Sequence, residues 1–174
     1  MNKDNTKNVT IVIIIVIIGI ISYFMFIKKT PNLVIVSPVV NQPAASLTYS
    51  NFDYGFSFNL PLSWKGYSII EENWEGNMID GTIRKISGSK IIIRHPLWTE
   101  EVLMQDIPIM VFTLSQWDLI REEKLSVGAA PIGPSELGRN KNYVFAIPAR
   151  YNFAYPLGFE EVQKIIENKP FLAI

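Results

Sequence analysis

The chain has 174 residues, with 16 basic side chains, 16 acidic ones, one histidine and no cysteine. Without thiols, disulfide bridges, thiolate metal sites and lipidation at a bacterial lipobox are all excluded. Four basic residues and one acidic residue precede position 30, so residues 30–174 carry 12 and 15, a net of −3; this opposes nucleic acid as a partner, since phosphate contacts need clustered Lys and Arg.

Residues 1–8 are a short flank, and residues 9–27 read VTIVIIIVIIGIISYFMFI without a charge. At about 1.5 Å per residue this run nearly spans the roughly 30 Å hydrocarbon core, which predicts a transmembrane anchor. Valine and isoleucine are modest helix formers in water, but in lipid a helix satisfies its own backbone groups. A cleaved signal peptide would need small residues after a shorter apolar core, whereas this run ends in SYFMFI before Lys28 and Lys29. The expectation is therefore an uncleaved single-pass anchor. Lys3 and Lys7 on one side match Lys28 and Lys29 on the other, so charge sets the orientation only weakly. A short N-terminal flank before a large remainder favours a cytoplasmic N-terminus and an extracytoplasmic domain.

Residues 28–51 contain Pro31, Pro38 and Pro43, few charges and no helical period. They are expected to form an extended tether of about 3.1 Å per residue, with LVIV at residues 33–36 as an alternative edge strand. A globular domain is expected over residues 52–174.

That domain opens with YGFSFNLPLSW, residues 54–64. Period two over Tyr54, Phe56, Phe58 and Leu60 predicts a strand with one buried face, with Ser57 and Asn59 on the other. Pro61 ends the ladder and Trp64 is sized to cap the core. Further strands are expected at residues 67–70, 82–86, 90–94, 107–114 and 142–150, with turns at Glu75-Gly76-Asn77 and Ser87-Gly88-Ser89. One helix is expected near Ser115, its N-cap, with Leu114, Trp117 and Ile120 on a shared face. A second is expected over residues 157–168, with Phe159, Val162, Ile165 and Ile166 inward, Glu160 and Glu161 in its first turn, and Lys169 then Pro170 closing it. The fold class is α+β, a mostly antiparallel sheet with helices packed on it.

YGFSFNLPLSW followed by KGY resembles the opening of PsbP-like domains, where an aromatic-rich first strand ends in a Leu-Pro pair with a tryptophan shortly after. The resemblance covers residues 52–174 in outline. It implies an antiparallel sheet with helices on its faces and an accessory or binding role, and it carries over no catalytic residues. The N-terminal apolar run departs from the photosynthetic members.

The one histidine lies in Arg94-His95-Pro96-Leu97-Trp98. Arg94, His95 and Trp98, with Arg139, are the candidate binding residues. A metal site would have to be built from His95 and carboxylates, which are not spaced as a loop ligand set. His95 with Ser115 and Asp106 would form a hydrolytic trio, but no Gly-x-Ser-x-Gly elbow surrounds the serine. Residues 128–138, GAAPIGPSELG, lack both the lysine of a P-loop and a dinucleotide spacing. They are expected to be a long loop, and no cofactor is implied. The expected function is a membrane-anchored extracytoplasmic accessory or binding module for a protein or envelope ligand. The alternative is a small cell-envelope hydrolase using His95.

The anchor expectation has a direct check. Intact mass of membrane-extracted protein should retain residues 9–27, and a mature N-terminus beyond Lys28 would refute an uncleaved anchor.

Overall fold

Nine strands and two α-helices form among the described residues of this computed structural model, which are residues 23, 46–79, 85–128 and 132–174. Strands β1 (Ser46–Asn51), β2 (Phe56–Pro61) and β9 (Phe171–Ala173) make a three-stranded sheet in the order β1-β2-β9. Strands β3 (Ser68–Met78), β4 (Lys85–Arg94), β5 (Ile107–Thr113), β6 (Leu125–Val127), β7 (Ser135–Arg139) and β8 (Tyr143–Ile147) make a six-stranded one in the order β6-β3-β4-β5-β8-β7. All pairings within both sheets are antiparallel. Helix α1 is Leu114–Arg121 and helix α2 is Phe159–Glu167. The architecture is α+β. Apart from Tyr23, the expected anchor at residues 9–27 and the tether up to residue 45 lie outside the described residues. Among the described residues, no helix is long and apolar enough to cross a membrane.

Strand β5 reads IPIMVFT and is apolar on both faces, so it needs cover on both. On one face Ile107, Ile109 and Val111 join Phe56, Phe58 and Leu60 of β2, Ile91 and Ile93 of β4, and Val162 and Ile165 of α2 in the main core. On the other, Met110 and Phe112 meet Trp74, Leu125, Val127 and Trp117 of α1. The six-stranded sheet is thus the middle layer. Phe56 joins the two sheets, its ring centroid 4.8 Å from Phe145 and 5.5 Å from a near-parallel Phe171.

The alternation at Phe56, Phe58 and Leu60 is present, and all three are buried, as is Trp64. Four expectations are corrected. Tyr54 sits in the 52–55 turn rather than in the strand, and its hydroxyl bonds Ser89. Ser57 is buried as well, so β2 is covered on both faces. Residues 46–51, assigned by sequence to the tether, are β1, held to β2 in full register from Ser46↔Pro61 to Asn51↔Phe56. Thr113, not Ser115, caps α1: its hydroxyl accepts from the Gln116 amide and the Gln116 side chain accepts from its own, a reciprocal capping box.

Glu75-Gly76-Asn77 and Ser87-Gly88-Ser89 are not turns. They lie inside the long strands β3 and β4, paired from Ser68↔Arg94 to Asn77↔Lys85. Their glycines serve close approach. A Cβ on Gly88 would stand 2.6 Å from the Trp74 ring opposite it, and one on Gly76 would stand 2.8 Å from the Ser126 carbonyl. Trp74 lies across Gly88 and donates its indole N–H to the Val111 carbonyl at 2.8 Å. Strands β6, β7 and β9 were not foreseen, and residues 135–138 of the expected loop belong to β7. Helix α2 matches expectation: Val162 and Ile165 are buried, Phe159 and Ile166 half-buried.

Phe58→Ala should cost about 3–5 kcal/mol, whereas Asn59→Ala, half-buried and bonded to Thr48, should cost under about 1 kcal/mol. Equal losses in denaturant midpoint would contradict this placement of β2. Gly88→Ala should destabilise by about 1–3 kcal/mol because the added methyl must displace Trp74. Were residue 88 in a turn, as the sequence alone implies, the loss would be smaller, and near-UV circular dichroism of Trp74 would not change.

Candidate functional site

Strands β4, β5 and β8 are neighbours, and their antiparallel registers put the end of β4, the start of β5 and the end of β8 at one edge of the sheet. Two loops leave there, residues 95–106 and residues 148–158. Both carry residues that no strand or helix period claimed.

Asp106 fastens the base of the first loop. One carboxylate oxygen lies 3.2 Å from Arg94 Nε and the other accepts the His95 amide at 2.9 Å. The Arg94 guanidinium is thereby laid over the Trp98 ring, 3.8 Å from its centroid. Thr99 and Val102 close a tight turn, with the Thr99 amide donating to the Val102 carbonyl and the Val102 amide to the Thr99 hydroxyl, each at 3.0 Å. Glu100 and Glu101 form its exposed tip.

His95, a candidate binding residue by sequence, does not face solvent. It is 5% exposed, its ring set edge-on to Trp64 at 4.9 Å. Its Nδ1 accepts the Leu97 amide at 3.1 Å, which leaves the ring proton on Nε2, 3.8 Å from the Glu161 carboxylate. Glu161 in turn accepts from the Ser63 hydroxyl at 2.6 Å. Ser115 lies beyond the opposite end of β5, separated from Asp106 by the seven residues, about 20 Å, of that strand. The trio Ser115, His95 and Asp106 is not assembled.

Arg139 is also separated from the others. It lies on β7, where its Nε and Nη2 hold the Glu136 carboxylate at 2.7 and 2.6 Å. That hydrogen bond, ahead of the charge itself, keeps the Glu136 carboxyl below its ordinary value of 4.5. Arg94, His95 and Trp98 therefore share one site and Arg139 does not.

Gln105 ties the second loop to the first. It is 5% exposed; its backbone amide donates to the Leu157 carbonyl at 2.8 Å, and its side-chain amide to the carbonyls of Asp106 and Tyr151 at 2.8 and 3.2 Å. Met104 and Leu157 form a parallel bridge beside it. The second loop runs through consecutive turns in which the Phe153 amide reaches the Arg150 carbonyl and the Tyr155 amide the Asn152 carbonyl. Arg150, Ala154 and Tyr155 are left-handed, with φ of 55°, 73° and 48°. Such a conformation costs a side-chain-bearing residue about 1–3 kcal/mol and clusters at functional sites.

The strained loop and its neighbour expose Leu97, Val102, Leu103, Phe153, Tyr155 and Leu157, between 41% and 74% of each. Six large apolar side chains thus stand exposed on two loops that Gln105 and the Met104–Leu157 bridge tie together. Sequence reasoning reached only its margin, at Arg94 and Trp98. YNFAYP, residues 151–156, falls between the strand expected to end at Arg150 and the helix expected to begin at Leu157, both of which belong to the loop instead, and its aromatics have no period to mark them. No family model, curated protein or solved structure matches the chain, so the resemblance to PsbP-like domains rests on the quoted stretch and the outline of its elements.

His95→Ala should destabilise the domain by about 2–4 kcal/mol, since it empties a buried ring site and strands the Leu97 amide. A loss below about 1 kcal/mol in chemical denaturation would show that the ring is not packed there. Glu136→Gln should cost under about 1 kcal/mol, the pair being partly exposed. Because the folded carboxyl is the more acidic, its contribution is fully present above the ordinary value of 4.5 and is lost as pH falls below that value through the lowered folded one. The stability difference between wild type and Glu136→Gln should therefore shrink on acidification.

Proposed function

We propose that this protein is a membrane-anchored binding or accessory module whose domain stands outside the cytoplasm and docks a partner through the loop end of its six-stranded sheet. The observation that carries the reading is the apolar patch formed by Leu97, Val102, Leu103, Phe153, Tyr155 and Leu157. A module that binds without turnover needs an exposed apolar surface on a rigid support. Gln105 and Asp106 supply that support by fixing both loops to the sheet. The accessory role implied by the PsbP-like resemblance agrees with it, and the uncharged run at residues 9–27 supplies the anchor. The hydrolase alternative gains no specific support. His95 is buried, and the hydroxyl on its side, Ser63, donates to Glu161 instead.

The cysteine-free chain makes a clean test. Leu172→Cys, on β9, and Leu103→Cys and Phe153→Cys, on the patch, all replace exposed side chains. A membrane-impermeant maleimide applied to intact cells should label Leu172→Cys readily, and the two patch cysteines several-fold more slowly because a partner covers them. Failure to label Leu172→Cys without permeabilising the cells would remove the extracytoplasmic placement. Equal rates at all three positions would remove the docking face.

A further inference from the structure

We propose that the partner seated on this patch is a second copy of the same chain, related by a twofold axis; the inference rests on the docking role of the loop end. Two observations favour it over other occupants. The first is charge. Glu100 and Glu101 form the tip of one loop and Arg150 lies on the other, and among the described residues none of the three has an ion-pair partner. A twofold axis between the loops brings the 95–106 loop of one copy against the 148–158 loop of the other. Glu100 and Glu101 of each copy then face Arg150 of its partner, twice over, around an apolar centre. An anionic lipid surface would instead meet the two carboxylates first.

The second observation is area. Six side chains exposed to this extent, with aromatics near 200 Å² each when whole, present on the order of 800 Å² of surface. That is about one partner's share of a stable interface. The interface is self-complementary, apolar at its centre and charged at its rim, and it places the strained Arg150, Ala154 and Tyr155 where contact rather than water holds them.

The test uses the full chain in its native membrane, expressed as two differently tagged copies, one Leu103→Cys and the other Phe153→Cys. Oxidation should join the two tags in a disulfide-linked dimer, while a pair carrying Leu172→Cys in both copies should not cross-link. Glu100→Arg with Glu101→Arg should reduce the cross-linked yield several-fold, and adding Arg150→Glu to the same chain should restore it. All these positions are exposed, Leu172 on β9 and the others on loops, and unchanged thermal unfolding of each variant would show that the fold is intact. A yield no higher than that of the Leu172→Cys pair overturns the proposal, as does a yield indifferent to the charge exchange. If the patch cysteines are protected from maleimide yet never cross-link, a different protein or the lipid covers the patch; self-association then fails while the docking reading stands. If they are neither protected nor cross-linked, both fail.

Discussion

Phe56, Phe145 and Phe171 bring three distant parts of the chain into one aromatic contact, and the layered structure depends on it. Phe56 comes from the first hairpin, Phe145 from β8 of the six-stranded sheet and Phe171 from the final strand. The three-stranded sheet is small, and its last strand has three residues. A sheet of that size gains its stability from packing rather than from its own ladder. With Phe171 seated, its ring also lies against Gly138 of β7, where a Cβ would approach to 2.5 Å. That contact joins the edge of the second sheet to the end of the chain.

Cover on both faces has a consequence for the middle strands. β5 and β8 are buried on each side, so their side chains are committed to packing and leave no room for a polar site within the sheet. On these two strands, side chains free of the core are left only near the strand ends. The loops after β4 and β8 emerge side by side, and Asp106 and Gln105 satisfy the backbone groups exposed where the ladder stops. A fastened base allows the outer parts of these loops to carry left-handed residues and unburied aromatics without unfolding.

The same end shows how a polar cluster can be structural while its neighbour is a surface. His95, Trp64, Glu161 and Ser63 join α2 to the underside of the loop through one buried ring and one carboxylate. Arg94 and Trp98, a residue or three away, stack at its margin, where the guanidinium stays partly in water. Alternating burial along five residues separates the group that holds the loop from the groups left partly exposed.

Much of the fold was legible in the sequence because period and punctuation are local. Phe56, Phe58 and Leu60 declared a strand face, Val162 and Ile165 a helix face, and Pro170 the end of that helix. The stretch SLTYSN, by contrast, is short and polar on alternate positions, and became β1 only because β2 offered it a partner. Gly76 and Gly88 read as turns because glycine permits turns. In place, each makes room for a neighbour that the sequence cannot supply: β6 beside one, the Trp74 ring over the other. Likewise, the pattern around His95 pointed to a histidine at a strand end, but its burial was set by Trp64 and α2, elements 31 and 66 positions away along the chain. The sequence by itself determined the strand and helix faces, the absence of thiol chemistry and the apolar run at residues 9–27. Only the tertiary structure decided which glycines are contacts, which polar residues are buried and which apolar loop residues stay exposed, because each depends on side chains brought together across the whole domain.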